Sequence, residues 1–107
     1  MPTEKPALTE AVYYILLSLY EPLHGYGIMQ KVSDLSSGRV ALAAGTLYGA
    51  LSTLLEKRWI SALPGENNSR KKQYTITPLG REMAEGELLR LRELLANGET
   101  IIGGIQA

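Results

Sequence analysis

The chain has 107 residues, no cysteine, a single histidine and equal numbers of basic and acidic side chains, 11 of each. That length suits one small domain, or a half-domain that completes its core by pairing with a second copy. The lack of cysteine excludes a disulfide framework and a thiolate metal site, and the zero net charge gives no whole-chain sign of a polyanionic partner.

The charge is unevenly spread, however. Residues 1–38 hold two basic and four acidic groups, residues 39–72 hold six and two, and residues 73–107 hold three and five. The middle third is therefore +4 and each end −2, the asymmetry expected of a protein that turns one face to phosphate. The first residues, "MPTEKPAL", lack an apolar signal region, and the longest uncharged apolar run, Ala11 to Tyr20, is too short to span a bilayer. A soluble cytoplasmic protein with no membrane partner is expected.

Leu8, Val12, Ile15, Leu16 and Leu19 fall on one face of a first helix, with Thr9 as a cap near its start and Pro22 as its end. A second helix is expected from His24 to Leu35, carrying Ile28 and Val32 inward and closing in "SDLSSG". Tyr26 reads first as a ring that locks this helix onto the third, and second as an outward aromatic able to meet a nucleic acid. His24 has no Glu, Asp or second His at ligand spacing nearby, so it reads as a cap or packing group, and no metal site is expected.

The third helix is expected from about Gly45 to Arg58, with Leu47, Leu51, Leu54 and Leu55 on its inner face. Its opening, "AAGTLYGAL", is unusual. The outer face brings together Thr46, Gly49, Ala50, Thr53 and Lys57, uncharged at the start and basic only at the end. A helix meant only for water would carry Glu and Lys there. "WISAL" and "KQYTIT" then alternate in the manner of strands around the Gly/Asn-rich turn "PGENNSRK", which makes a β-hairpin. Arg70, Lys71 and Lys72 on its outgoing limb read either as a solvated loop or as a phosphate contact.

Thr77 and Pro78 supply an N-cap and a proline at the first helical position. They open a long helix with the stripe Ala84, Leu88, Leu91, Leu95 and Ile102, about 35 Å in length. That stripe outruns the small module before it. Either a second subunit covers it, or the helix frays beyond Asn97 and Gly98; the persistent heptad-like leucines favour the dimer.

Three helices, a hairpin and a long helix are the order of a mainly α winged helix-turn-helix followed by a C-terminal dimerisation helix. In that design residues 1–77 form the DNA-binding unit, and residues 78–107 form the dimerisation helix and a short tail. The third helix enters the major groove and the hairpin tip meets the flanking backbone. Small side chains at the helix start let its backbone N–H groups come near DNA.

"HGYGI" at 24–28, "GTLYGAL" at 45–51, "LLEKRWI" at 54–60 and the basic wing before "YTITPLG" resemble the PadR family of bacterial transcriptional regulators. The resemblance covers roughly Leu8 to Ile102. The single helix after the wing is similar to the short subfamily, in which that helix and the first one build the dimer. It implies a homodimeric repressor on a palindromic double-stranded operator, in several members released by a small aromatic or cationic compound, with no cofactor.

By that resemblance, Thr46, Tyr48, Gly49, Ser52 and Thr53 are candidate groove contacts, and Arg39, Lys57, Arg70, Lys71 and Lys72 candidate phosphate contacts. Val12, Leu16, Leu88, Leu91, Leu95 and Ile102 are candidate interface residues. Tyr48 lies at the border of the two helix faces, and contact with DNA or packing between helices fits it equally. Tyr13 and Tyr14 are candidate lining residues of an effector cavity; the last helix has no aromatic residue and the only Trp, Trp59, begins a wing strand. No Arg, Asn or Gln stands on the exposed early turns of the third helix, so discrimination would rest on Thr and Tyr contacts, the wing and DNA shape. The alternative is a winged-helix module that binds other proteins without specific DNA contact. One His, no Cys and no recognisable nucleophile or phosphate loop argue against an enzyme.

Overall fold

A computed structural model describes residues 6–64 and 72–103. Helix α1 (Glu10–Ser18) starts at Thr9, whose hydroxyl oxygen accepts the Val12 N–H at 3.2 Å. It stops four residues before Pro22, because the Leu19 carbonyl is taken by the Ile76 N–H (2.9 Å) and docks the helix end on the sheet.

Strand β1 (Leu23–His24) is a two-residue element too short to carry a periodic signal. Helix α2 (Gly25–Leu35) follows at once, and His24 serves as its cap: the imidazole Nδ1 accepts the Gly27 N–H at 3.2 Å. Beyond α2 the chain reverses through Ser37 and Gly38, both with positive φ (54° and 81°). The Ser36 hydroxyl fixes that turn by donating to the Val32 carbonyl and accepting the Val40 N–H, each at 2.9 Å.

Helix α3 (Ala44–Glu56) buries Leu47, Leu51 and Leu54. It ends two residues before the expected Arg58, which adopts a left-handed φ of 64° and turns the chain into the sheet. Strands β2 (Ile60–Leu63) and β3 (Gln73–Ile76) pair antiparallel, Ile60 opposite Ile76 and Leu63 opposite Gln73. β1 adds to the other edge of β3 with Leu23 opposite Tyr74, so the sheet order is β1-β3-β2. Trp59 lies just before β2 and is buried in the core.

Helix α4 (Pro78–Ile102) opens at Thr77, whose hydroxyl accepts the Gly80 N–H (3.0 Å) and donates to the Arg58 carbonyl (2.7 Å). One side chain thus ties the start of α4 to the base of the hairpin. Gly80 packs so closely that a Cβ there would overlap the Trp59 carbonyl oxygen. The helix runs unbroken through Asn97 and Gly98 and ends at Gly103, whose left-handed φ of 91° caps it.

A single core joins α1, α2, α3 and the sheet through Ile15, Leu16, Leu19, Ile28, Val32, Leu47, Leu51, Leu54, Ile60 and Ile76. α4 contributes only its beginning. Its buried residues are Gly80, Ala84 and Glu87, and none beyond Glu87 is buried within this chain. Leu16 is fully buried in the core and has no surface to offer a second subunit, which corrects its assignment to an interface. Val12 is half-buried against the same core.

Candidate nucleic-acid interface

The outer face of α3 follows from its own sequence. Leu47, Leu51 and Leu54 hold one side to the core, which leaves Thr46, Gly49, Ser52 and Thr53 exposed on the other. Nothing lies within 4 Å of where a Cβ would sit at Gly45 or Gly49, so this side is thin and open. Ala50 departs from the expected outer face: it is half-buried and packs on the core. The Thr53 hydroxyl donates to the Gly49 carbonyl one turn back at 3.3 Å.

The first turn of α3 is uncapped. Ala43 stands at the N-cap and makes no side-chain hydrogen bond, and the first helical bond is the Leu47 N–H to the Ala43 carbonyl at 2.9 Å. The N–H groups of Ala44, Gly45 and Thr46 therefore point out of the helix at its positive end, the arrangement that receives an anion.

Tyr48 packs between the helices and still reaches the surface. Its hydroxyl packs where a Cβ of Gly25 would stand, so the ring lies against the first residue of α2, yet the residue is 47% exposed. Burial pushes the Tyr74 phenol above its ordinary range, and the nearby Tyr48 phenol adds to the shift. Tyr26 does not lock the helices. It is 68% exposed, because Tyr48 reaching over Gly25 already fills the place between α2 and α3. Of the two readings of Tyr26, the favoured one, packing between helices, fails, and the ring stands as a surface aromatic on the first turn of α2.

Of the expected phosphate contacts, Lys72 is exposed just before β3, and Arg70 and Lys71 lie outside the described residues. Lys57 is exposed at the end of α3 with its ammonium 5.0 Å from the centre of the Trp59 ring. Arg39 is otherwise engaged. Its guanidinium grips the Glu10 carboxylate with both nitrogens, Nη1 to Oε1 at 2.9 Å and Nη2 to Oε2, which ties the α2–α3 loop to the first turn of α1. In the single chain the guanidinium is thus paired with a carboxylate, while its side chain stays 60% exposed.

On the side formed by α1 and α4, Tyr13 and Tyr14 stand with ring centres 6.4 Å apart. They line an open groove of about 390 Å³ together with Leu8, Glu10, Glu87, Arg90 and Leu91. Glu87 forms its floor, only 3% exposed, accepting the Leu8 N–H at 3.1 Å and pairing with Arg90 at 2.9 and 2.6 Å. The Arg90 bonds hold its carboxyl below the usual glutamate range, and the Leu8 N–H adds to them. Burial, then the Glu87 charge, push the Tyr13 phenol up. From the edge of this groove onward α4 presents Leu88, Leu91, Leu95 and Ile102, all exposed, with Leu95 and Ile102 at 62% and 70%.

Three helices packed on one core, a β-hairpin after α3 and a sheet completed by β1 define a winged helix-turn-helix protein. The model of the transcriptional regulator PadR-like family matches residues 14–86. The chain belongs to that family, whose members are DNA-binding transcriptional regulators and not enzymes.

A PadR family transcription regulator from Clostridium difficile superposes with a TM-score of 0.73 at 21% identity, over 90% of this chain and 100% of that one. A PadR-like transcriptional regulator from Bacillus cereus gives 0.69 at 18% identity, over 89% and 92%. BpsR of Bordetella bronchiseptica, whose DNA binding is regulated by 6-hydroxynicotinic acid, gives 0.68 at 20% identity, over 99% and 72%. In sequence, the chain is 38% identical over 79 residues to an uncharacterized 37.1 kDa protein in transposon TN4556 of Streptomyces fradiae. The matched part is 73% of this chain and 22% of that relative. Among the described residues no helix is long and apolar enough to cross a membrane.

Proposed function

We propose that the protein is a homodimeric repressor that reads a palindromic operator with α3 and the wing. The observation that carries this reading is the outer side of α3, which is thin, open and uncharged from Thr46 to Thr53, with free N–H groups at its start. Thr46, Tyr48, Gly49, Ser52 and Thr53 face the groove, while Lys57 and the wing residues Arg70, Lys71 and Lys72 neutralise phosphates. Tyr26, exposed on the first turn of α2, joins them on the flanking backbone, where the first helix of the motif crosses.

In the same reading residues 1–77 bind DNA and residues 78–107 dimerise. Leu88, Leu91, Leu95 and Ile102 meet the second subunit beside Val12, since a row of exposed leucines this long asks for a partner. A small aromatic or cationic effector occupies the groove beside Tyr13 and Tyr14. BpsR, of similar fold, supports an aromatic ligand as the releasing signal, because 6-hydroxynicotinic acid regulates its DNA binding.

The test is a gel-shift series with DNA from the protein's own promoter region at rising salt. Affinity should fall by about 0.9 log units per log salt for each phosphate neutralised. Changing Arg70, Lys71 and Lys72 together to Ala should weaken binding and flatten that slope while the circular dichroism spectrum stays unchanged. Unaltered affinity in the triple variant, or binding indifferent to salt, would instead identify a protein-interaction module.

A further inference from the structure

His24 has a second ring nitrogen that the fold leaves unused. Its Nδ1 accepts the Gly27 N–H at 3.2 Å, so that atom carries no proton. A neutral imidazole keeps one proton, which therefore sits on Nε2 and makes it a donor. Among the described residues Nε2 has no partner, and no buried side-chain nitrogen is left without one, so Nε2 reaches the surface. Gly27 helps to open that edge of the ring. A Cβ at position 27 would stand 3.8 Å from Cε1, the atom next to Nε2, and a longer side chain would cover it.

The sheet decides where this donor lies. Successive side chains of a strand take opposite faces, and Leu23 packs on the core, so His24 is on the outer side of β1. Directly across stands Gln73, which is exposed, and cross-strand partners are about 5 Å apart at Cβ. The residue before Gln73 is the exposed Lys72, at the root of the basic limb of the wing. On the other side of His24 is Tyr26, 68% exposed on the first turn of α2. The imidazole thus stands between the wing and α2, the two elements that the repressor reading lays on the DNA backbone. We infer that His24, through its Nε2–H, and Gln73, through its amide, hold one backbone phosphate between the wing and α2, with Lys72 supplying charge. Such a contact carries no sequence information. It sets the depth and tilt at which α3 enters the groove. The inference rests on the reading of α3 and the wing as a DNA-binding face.

His24 is the only histidine in the chain, so its imidazole signals are unambiguous in NMR spectra of nitrogen-labelled protein. In the free protein Nε2 should carry the proton and Nδ1 none. On addition of promoter DNA the Nε2–H signal should move and exchange more slowly with water, while inorganic phosphate alone should leave it in place. His24→Asn removes the donor and keeps a cap, since Asn is among the best N-cap residues. It should melt within a few degrees of wild type and bind promoter DNA about tenfold more weakly, as loss of one bond to a charged group does. A neutral donor releases no counterion, so the salt slope of this variant should run parallel to that of wild type. Lys72→Ala should instead flatten the slope by about 0.9.

Methylphosphonates placed singly along the footprinted site find the phosphate. At one flanking position the substitution should weaken the wild type and cost His24→Asn nothing further, the mark of two groups that touch. Identical methylphosphonate profiles for the two chains, full affinity in His24→Asn, or an Nε2–H signal that DNA leaves unmoved or inorganic phosphate moves equally would each overturn the proposal. A His24→Asn variant whose lost affinity comes with a lowered melting temperature and an unaltered profile would assign His24 to capping alone. A wild-type chain that holds no promoter DNA would fail the repressor reading and this inference together, whereas salt-dependent binding beside identical profiles would fail this inference only.

Discussion

Gly80 and Gly25 both admit a close neighbour, and the two neighbours differ in what they can do about an added methyl group. At Gly80 the neighbour is the Trp59 carbonyl oxygen, part of the backbone leading into β2, with the Ile76 side chain close behind. Neither can move without shifting the base of the hairpin. Alanine is favoured over glycine by about 1 kcal/mol inside a helix, but overpacking costs about 1–3 kcal/mol and should win. Gly80→Ala is therefore expected to lower the melting temperature in calorimetry despite the better helix former. At Gly25 the neighbour is the tip of Tyr48, which can swing into solvent. Gly25→Ala should leave the melting temperature within a few degrees of wild type yet reduce DNA affinity severalfold in a gel shift, because the displaced ring lies on the face meant for the groove. An unchanged affinity would assign Tyr48 to packing alone.

Between elements, the joint of α1 and α4 depends on Glu87. Its folded carboxyl is held below the ordinary glutamate value by Arg90 first and the Leu8 N–H second. A depressed carboxyl contributes stability that is present above the unfolded value, about 4.3, and is lost as pH falls through the folded value. Glu87→Gln should therefore be less stable than wild type at neutral pH, and the difference should shrink in urea titrations below about pH 4.3. Nothing in the sequence set this glutamate apart beyond an arginine three residues on. The long elements were legible, because the apolar period of α2, α3 and α4 and the caps Thr9 and Thr77 are strong local signals. So was the outer face of α3, apart from Ala50. β1 was not, since two residues carry no period, and the partners of Arg39 and Tyr48 were not, since Glu10 and Gly25 stand 29 and 23 positions away. Burial of Leu16 was missed for a related reason. Both faces of α1 are apolar, and only the placement of α2 and α3 decides which is inside.

For the molecule as a whole, the exposed stretch of α4 sets the expected assembly. Leu91→Glu together with Leu95→Glu should leave the fold of the single chain intact, since neither residue is buried in it, and yield monomers in sedimentation equilibrium with loss of operator binding. A double variant that sediments like the wild type would remove this face from the interface. The joint at the root of α4 then acquires a meaning of its own. Thr77 and Gly80 bolt the helix to the hairpin, and the far end projects free over a helix about 37 Å long. Such a helix is a lever. A change of about 10° at the bolt would carry its tip by about 6 Å, a sizeable part of the 34 Å or so between half-sites one turn of DNA apart. In the proposed dimer, the distance between the two reading heads would thus be written in the tightness of one glycine contact, well away from any base.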